Sequence, residues 1–484
     1  MAMDGAEPQR DTQAEVRASV SAEELDAARL GFHRRFPQRS AKRVFFVTQA
    51  LAFLAIASAL VWALWSAPEL TFSALHIGAL SLFAVVIGFR LIAAAHLQLI
   101  LSRLAEPVRW PVYTILCPLY REANVTPDLI AAINAIDYPK DALDVKILVE
   151  GDDPDTIAAA LAAANAPHFE VIVIPAAAPR TKPKALNVGL ARARGAFVTV
   201  YDAEDRPHPQ QLRASLWAFE DGDESLACVQ APLVIDNQDA SWISRQFAAE
   251  YAIQFRELLP LLAKLRLPLP LGGTSNHFRT NVLRAIGGWD PYNVTEDADL
   301  GYRLARDGHT SGVIAPPTWE EAPVTFQSWL DQRTRWIKGH MQTWLVLMRN
   351  PIRTAREMGL PSFAAMHVML TGGLIAAFVH GPLALILIAA ALLPNDLLTT
   401  ADFILALFGY CVSIFAALTA CALSNSLSHA WAALSMPAYW PLSSLAAYRA
   451  LFALMFRPHR WAKTDHGVSA RRRYLAASPP KGHV

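Results

Sequence analysis

Residues 197–205 read Phe-Val-Thr-Val-Tyr-Asp-Ala-Glu-Asp, and this stretch decides the fold of the central part of the chain. A run rich in β-branched and aromatic residues, typical of a buried strand, passes directly into carboxylates. Similar apolar runs precede it at residues 112–117, 145–149 and 171–174. Because helical stretches lie between or after these runs, the alternation predicts an α/β domain with a largely parallel sheet.

Polar and mostly acidic residues follow three of these strands, at residues 119–122, 150–153 and 202–205. In open α/β sheets, ligands bind beyond the carboxyl ends of the strands. Carboxylates gathered there repel one another unless a cation or a substrate with hydrogen-bond donors lies between them. One such loop is most often merely solvated, but three in series favour a binding site.

Asp202 and Glu204 are the candidate metal ligands. Side chains two apart on an extended segment point to the same side, and paired carboxylates at that spacing suit Mg²⁺ or Mn²⁺ bridging a diphosphate. The sequence contains neither a Walker A pattern nor G-x-G-x-x-G. We therefore expect a nucleotide to be held through metal and side chains.

The composition points to a membrane. The chain has 484 residues, of which 53% are hydrophobic and only 18% charged, against about 25% charged in an average soluble domain. Apolar runs of crossing length occupy residues 44–65 and 72–100, and others follow at 362–379, 383–393, 403–424 and 430–456. A break at residues 380–382 separates the third run from the fourth. Six crossings are predicted, since roughly 20 residues cross a bilayer.

These runs divide the chain into five parts. They are a largely disordered arm (1–43), two transmembrane helices (44–101), a domain without crossings (104–360), about four transmembrane helices (362–456) and a tail (457–484). Lys and Arg cluster before the first crossing, after the second and in the tail, whereas the loop at 67–71 has none. The positive-inside rule therefore predicts that the arm, the domain and the tail are cytoplasmic. The net charge of +1 gives no basic surface for nucleic acid.

Two further motifs lie between the domain and the later crossings. Residues 295–302 read Thr-Glu-Asp-Ala-Asp-Leu-Gly-Tyr and open a helix, in which first-turn acids are ordinary. Gln332, Arg335 and Trp336 share one face of a later helix. An amide, a guanidinium and an indole fit a sugar plus a phosphate. Anchoring of the Arg and Trp at lipid headgroups is an equally good interpretation of this motif alone.

In combination, these motifs resemble family-2 inverting glycosyltransferases of the processive, cellulose-synthase-like kind over about residues 44–470. The resemblance rests on an ordered series of motifs: Pro118 to Glu122, Glu150-Gly151-Asp152, Lys184 to Asn187, Asp202-Ala203-Glu204, Thr295-Glu296-Asp297 and Gln332-x-x-Arg335-Trp336. It implies a multi-pass α-helical membrane protein with an inserted cytoplasmic α/β domain of GT-A-like fold and mainly parallel sheet. It also implies a bacterial inner-membrane location.

On the donor side, the resemblance implies that Tyr120 and Glu150 line a uridine pocket and that Lys184 lies near the nucleotide diphosphate. Asp202 and Glu204 would hold Mg²⁺ or Mn²⁺ on that diphosphate.

On the acceptor side, the resemblance implies that Asp297 is the general base for the acceptor hydroxyl. Gln332 and Arg335 would bind the diphosphate, and Trp336 would stack on the acceptor sugar. Thr464 lies in a segment (461–467) similar to a loop that covers the nucleotide, although His466 stands where a Lys is usual.

Three functions are weighed. The leading one is elongation and translocation of a β-glycan from a nucleotide sugar, that is, polysaccharide biosynthesis from a UDP-sugar, with accessory export subunits as candidate partners. The alternative is transfer of one sugar to a membrane lipid such as diacylglycerol or a polyprenyl phosphate. The third is a non-catalytic membrane scaffold, against which the joint presence of the site residues argues.

Overall fold

The computed structural model describes residues 18–96, 107, 109–393, 398–423, 430–460 and 467. The predictions for Thr464 and for the tail beyond residue 467 lie outside these residues.

A sheet of eight strands, counted over the described residues, forms the centre of the domain. Its order is β1-β4-β3-β2-β5-β9-β7-β10, and its pairs are parallel except the two that β9 makes. The strands are β1 (Ala18–Ser19), β2 (Tyr113–Leu119), β3 (Leu143–Glu150), β4 (Phe169–Ile174), β5 (Phe197–Val200), β7 (Leu226–Gln230), β9 (Asn276–Arg279) and β10 (Thr310–Val313). The predicted α/β domain with a mainly parallel sheet is confirmed, and the four predicted strands are β2 to β5.

Three short strands form a second sheet in the described part of the chain. They are β6 (Arg206–Pro207), β8 (Leu233–Ile235) and β11 (Thr318–Glu320).

Helices cover both faces of the large sheet. They are α4 (Thr126–Asn134), α5 (Pro154–Ala163), α6 (Lys182–Arg192), α7 (Gln211–Asp221), α10 (Thr280–Ala285) and α11 (Glu296–Arg306). Ile115 and Cys117 belong to the apolar cluster that contains the side chains of α4 and α7, whereas Leu116 belongs to the cluster that contains those of α6. Burial on both faces explains why the strands are continuously apolar in sequence.

The described part of the N-terminal arm is folded, which corrects the prediction of a largely disordered arm. β1 pairs with β4, and α1 (Ala22–Arg35) begins after Ser21, whose hydroxyl accepts a hydrogen bond from the backbone N–H of Glu24 at 3.1 Å. Phe32 is only 3% exposed, and the guanidinium of Arg303 lies 4.5 Å from its ring centroid. Composition alone suggests disorder here, but contacts with the domain offset the entropy of ordering the arm.

Four helices of the described residues are long and apolar enough to cross a membrane. They are α2 (Val47–Ser66), α3 (Pro68–Ala95), a continuous helix over Leu360–Ala390 and α16 (Thr400–Leu423). Six are predicted from the sequence. The runs at 362–379 and 383–393 form one helix, and the stretch 430–456 forms α17 (Ala430–Leu434), α18 (Met436–Tyr439) and α19 (Leu442–Phe456). With 15 residues, α19 falls short of the roughly 20 that a crossing needs. Two of these helices precede the domain in sequence and two follow it.

The predicted break at residues 380–382 is wrong, since α15 (Gly372–Leu392) continues through Pro382. Pro382 has no N–H to donate to the carbonyl of Phe378, which would normally end or kink a helix. That carbonyl instead accepts hydrogen bonds from Ser444 Oγ at 3.3 Å and Tyr448 Oη at 3.2 Å, both on α19. Side-chain hydroxyls of a neighbouring helix thus satisfy the freed carbonyl.

The remaining helices connect the domain to the crossings. They are α8 (Trp242–Ile253), α9 (Leu259–Lys264), α12 (Phe326–Leu347) and α13 (Pro351–Met358), whereas α14 (Leu360–Met366) is the first part of the helix over Leu360–Ala390. Two π-helical turns interrupt them: π-turn 1 (Gln254–Leu258) joins α8 to α9, and π-turn 2 (His367–Thr371) joins α14 to α15.

Candidate active site

A cavity of about 840 Å³ lies beyond the carboxyl ends of β2, β3 and β5 and is bounded by α11 and α12. It brings together all of the sequence-predicted site residues except two. Those that line it are Tyr120, Glu150, Asp202, Glu204, Asp297, Gln332, Arg335 and Trp336. Of the exceptions, Thr464 is outside the described residues and Lys184 lies behind the cavity wall.

Lys182 faces the cavity, whereas Lys184, the lysine named from the sequence, does not. Lys184 is fully buried, and its ammonium contacts Glu150 at 2.7 Å. Lys182, the first residue of α6, lines the cavity and pairs with Asp202 at 2.5 Å. Burial works against its charge, but Asp202 and Glu296 hold the pKa of Lys182 above its ordinary value. Because Lys182 is the first residue of α6, it lies beside the carboxyl ends of the strands. A lysine at the start of this helix is the sequence feature that could have identified it.

Glu150 lines the cavity with its charge compensated from behind. Burial raises the pKa of the Glu150 carboxyl, and the ammonium of Lys184 opposes that rise. Lys184 therefore acts as a positioning residue for Glu150, at the end of the cavity where Tyr120 and Arg180 also lie.

Asp202 and Asp297 approach each other across Gly273. A Cβ placed on Gly273 would lie 3.2 Å from Asp297 Oδ2 and 3.9 Å from Asp202 Oδ2. Lys182 Nζ also donates to the carbonyl of Gly273 at 2.6 Å. Only a residue without a side chain leaves the space between the two carboxylates open.

Asp205, which sequence reasoning left without a role, shapes the turn that carries Asp202 and Glu204. Its carboxylate accepts hydrogen bonds from the backbone N–H of Asp202 at 2.6 Å and from the hydroxyl of Thr274. Burial raises the pKa of Asp205 well above its ordinary value, and Asp202 and Glu204 add to that rise.

The donor set at this turn fits a metal shared with substrate. Within the described residues, no three His, Cys, Asp or Glu side chains lie close enough together to hold a metal ion unaided. Mg²⁺ and similar ions are commonly held by one or two carboxylates plus substrate phosphates. Asp202 and Glu204, both facing the cavity, supply such a pair.

The acids at the start of α11 have different surroundings. Asp299 is buried away from the cavity and pairs with Arg303 at 2.7 Å, whereas Glu296 and Asp297 line the cavity. Burial, with the neighbouring Asp297, raises the pKa of Glu296 to about 8. Burial also raises the pKa of Asp297. The backbone N–H of Ala298 and the positive charges of Lys182 and Arg335 oppose that rise.

Helix α12 presents one face to the cavity. Gln332, Arg335 and Trp336 lie on it as predicted, and His340 continues the same face one turn later. The i+4 spacing from Trp336 is the signal that could have found His340. The indole of Trp336 stacks with Tyr251 of α8 at a centroid distance of 6.4 Å, and Gln332 Oε1 is buried without a hydrogen-bond partner among the described residues.

The start of α11 touches α12 at a glycine. A Cβ on Gly339 would lie 2.5 Å from Cγ2 and 2.8 Å from Cβ of Thr295, so this close approach requires Gly. The contact sets the distance between the helix that carries Asp297 and the helix that carries Arg335.

The chain just before residue 461 also reaches the cavity. Lys338 Nζ donates to the carbonyl of Arg460 at 2.7 Å, and Gln342 Nε2 donates to that of Pro458 at 3.1 Å. Arg460 consequently lines the cavity as a further cation, which the sequence analysis used only for membrane orientation.

Residues 111–339, which carry nearly all of these side chains, match the model of a family described as glycosyltransferase-like family 2. This segment is a family 2 glycosyltransferase domain. The enzyme class predicted from the motifs is therefore confirmed.

The chain is similar in sequence to several proteins named as glycosyltransferases or lipid glucosyl synthases. The chain is 28% identical over 324 residues to β-monoglucosyldiacylglycerol synthase of Synechocystis sp., covering 64% of each chain. It is 26% identical over 251 residues to the probable glycosyltransferase YdaM of Bacillus subtilis, covering 51% of this chain and 59% of that one. It thus spans about three-fifths of the length of these relatives.

Among solved structures, the chain is similar to the mannosyltransferase PcManGT of Pyrobaculum calidifontis in complex with GDP-Man and Mn²⁺. The two are 18% identical with a TM-score of 0.46, over 75% of this chain and 98% of that one.

At its far end, the cavity of the glycosyltransferase domain becomes apolar. Its walls there include Leu258, Leu271, Met369 and Leu370. Met369 and Leu370 belong to the helix over Leu360–Ala390, which is apolar enough to cross a membrane.

Proposed function

We propose that the protein transfers one hexose from a nucleotide sugar, with inversion, to the hydroxyl of a membrane lipid. The donor proposed from the family resemblance is a UDP-sugar. The observation that carries the proposal is the continuity of the cavity, which joins a carboxylate-rich end to an aliphatic end at a membrane helix.

The residues at the polar end support this chemistry. Asp297 takes the proton from the acceptor hydroxyl as the oxygen attacks the anomeric carbon, and its raised pKa strengthens it as a base. Attack from the side opposite the leaving nucleotide gives inversion in one displacement. Arg335, Lys182 and Arg460 offer positive charge to the departing diphosphate.

Asp202 and Glu204 are the residues that would hold a divalent cation. Bound there, Mg²⁺ or Mn²⁺ would neutralise charge on the diphosphate. The ion pair between Asp202 and Lys182 balances the Asp202 charge from the protein side.

The acceptor end favours a lipid over a growing glycan. Each sugar unit carries several hydroxyls, and burying a hydroxyl without a partner costs free energy. The walls at Leu258, Met369 and Leu370 offer no such partners, whereas they suit an acyl chain. Similarity to β-monoglucosyldiacylglycerol synthases supports the same alternative. The polymer elongation that leads the sequence analysis is therefore the second candidate, favoured by the placement of Trp336 on the cavity wall.

The test uses the full chain purified in detergent and returned to lipid vesicles. Radiolabelled UDP-glucose, UDP-N-acetylglucosamine and GDP-mannose are supplied in turn with Mg²⁺ or Mn²⁺, with and without diacylglycerol. We expect label from one donor in the organic phase as a single-sugar lipid. An aqueous polymer of many sugars would contradict lipid transfer and support elongation.

A variant pair controls for the chemistry. Asp297→Asn is expected to lower the rate by about 10²–10⁴-fold, the usual contribution of a general base. Asp155→Asn makes the same chemical change at an exposed position outside the cavity and is expected to leave the rate unchanged.

A further inference from the structure

The two π-turns both contribute to the apolar end of the cavity. π-turn 1 supplies Gln254, Phe255 and Leu258, and π-turn 2 supplies Met369 and Leu370. A π-turn inserts an extra residue into a helix at a local cost, and such turns occur frequently at functional sites. In the described residues, the two π-turns come from separate parts of the chain and meet at one cavity.

Helix α12 spans the distance between the π-turns. Trp336 stacks with Tyr251, one turn before π-turn 1. Two turns further along α12, Trp344 Nε1 donates to Thr371 Oγ1 of π-turn 2 at 2.9 Å. His340 lies midway between these anchors and lines the cavity.

Helix α3, which is apolar enough to cross a membrane, packs against the two π-turns. A Cβ on Gly372, directly after π-turn 2, would lie 2.8 Å from Val86 of α3. Phe89 of α3 packs in the same apolar cluster as Phe255 and Met369. The chamber between the π-turns is therefore lined by residues of the domain and of the helix over Leu360–Ala390, and α3 supports both π-turns.

Three of the polar side chains that line the cavity near the π-turns are neutral hydrogen-bonding groups. Gln254 and Gln332 are amides, and burial, with Arg333 nearby, lowers the pKa of His340 to about 4, so the imidazole is uncharged at neutral pH. Arg335 and Lys182 lie beside the carboxylates of Glu296, Asp297 and Asp202. Amides and a neutral imidazole suit hydroxyl and ester oxygens better than a phosphate.

We propose that π-turn 1 and π-turn 2 form the chamber for the acyl chains of an uncharged glycerolipid acceptor, with Gln254 and His340 contacting its glycerol and ester oxygens. This inference rests on the proposed function, which it deepens by choosing diacylglycerol over a polyprenyl phosphate. The free hydroxyl then lies toward Asp297 while the chains extend along Leu258, Met369 and Leu370.

The direct test is photo-crosslinking of the unaltered full chain in vesicles. The probe is a diacylglycerol that carries a diazirine within one acyl chain. We expect adducts on peptides that contain residues 254–258 and 367–371, and we expect excess dioleoylglycerol to suppress them. Adducts confined to lipid-facing positions such as Leu385, which is 71% exposed, would overturn the chamber.

Substitutions test chain selectivity independently. Met369→Trp narrows the chamber and is expected to lower the ratio of dioleoylglycerol to dioctanoylglycerol transfer about ten-fold, as expected from excluding two buried methylenes. Met369→Ala enlarges the chamber without overfilling it and should raise the same ratio. Leu385→Trp, on the exposed face of the same helix, should leave the ratio unchanged. An unchanged ratio in both Met369 variants would overturn the inference.

The outcomes separate this inference from the proposed function. Transfer to lipid with no effect at the π-turns would contradict the chamber alone. Preference for a polyprenyl phosphate would retain lipid transfer and overturn the choice of acceptor. Failure of wild-type protein to glycosylate any lipid would overturn the proposed function together with the inference.

Discussion

Gly339→Ala should disable the active site through a single methyl group. The added Cβ would lie 2.5 Å from Thr295 Cγ2, and closer still to Thr295 Oγ1. Thr295 is buried and directly precedes Glu296 and Asp297. It cannot retreat easily, because its backbone N–H donates to Asn293 Oδ1 at 3.1 Å.

Two opposing effects set the magnitude. Exchange of Gly for Ala within a helix is worth up to about 1 kcal/mol in favour of Ala, whereas overpacking a buried contact costs about 1–3 kcal/mol. Relief of the clash requires α11 and α12 to separate by about 1 Å, and a misplacement of that size can cost about 100-fold in rate. We therefore expect a modest loss of stability and a loss of activity of about two orders of magnitude.

The assay compares initial rates of lipid glycosylation and melting temperatures. Gly373→Ala is the matched control, because the same exchange on α15 meets nothing within 4 Å. Thr295→Ala removes the two atoms nearest to the added Cβ. The double variant Gly339→Ala/Thr295→Ala should therefore recover part of the rate, and the double-mutant cycle should give a coupling of about 0.5–3 kcal/mol between the two positions.

A wild-type rate in Gly339→Ala would refute the claim that this contact sets the distance between Asp297 and Arg335. Equal losses in Gly339→Ala and Gly373→Ala would also refute it, because Gly373 has no neighbour for a Cβ to meet and the exchange by itself favours a helix.

Three further predictions concern charge and packing. Lys182→Met should lower the rate of sugar transfer about 10–100-fold, because it leaves Asp202 uncompensated in the cavity. Lys184→Met should instead lower the melting temperature, because it leaves Glu150 buried without its partner. Transfer rates and thermal melts measured on both variants distinguish the two lysines. Glu296 has a folded-state pKa of about 8 against an ordinary 4.5, so its contribution to stability is present below about pH 4.5 and is lost as the pH rises through 8. Glu296→Gln should therefore reduce the change of melting temperature with pH over that range. An unchanged slope of melting temperature against pH would contradict the raised pKa of Glu296. Phe32→Ala should destabilise the domain by about 3–5 kcal/mol by removing a buried ring beside Arg303, whereas Phe45→Ala, at a residue 47% exposed, should have little effect on a denaturation curve.

Much of the site could be predicted because its residues follow strands or repeat along one helix. Asp202 and Glu204 come directly after β5, so the parallel sheet alone places them at the ligand-binding edge. Gln332, Arg335 and Trp336 share a face by helical spacing alone. Sequence did not single out Lys182, because two lysines near the start of α6 differ in which one faces the cavity, and only packing decides that.

Local pattern determined the α/β class, the apolar runs and the motif residues, because periodicity and strand ends depend on residues close in sequence. Tertiary structure alone decided that the N-terminal arm folds onto the domain, that α15 passes through Pro382, and that Gly339 meets Thr295. Each of these depends on a partner distant in sequence: Arg303 for Phe32, Tyr448 for the carbonyl of Phe378, and α11 for α12. The meeting of π-turn 1 and π-turn 2 at one cavity is of the same kind, since packing of the chain brings together turns that lie more than a hundred residues apart in sequence.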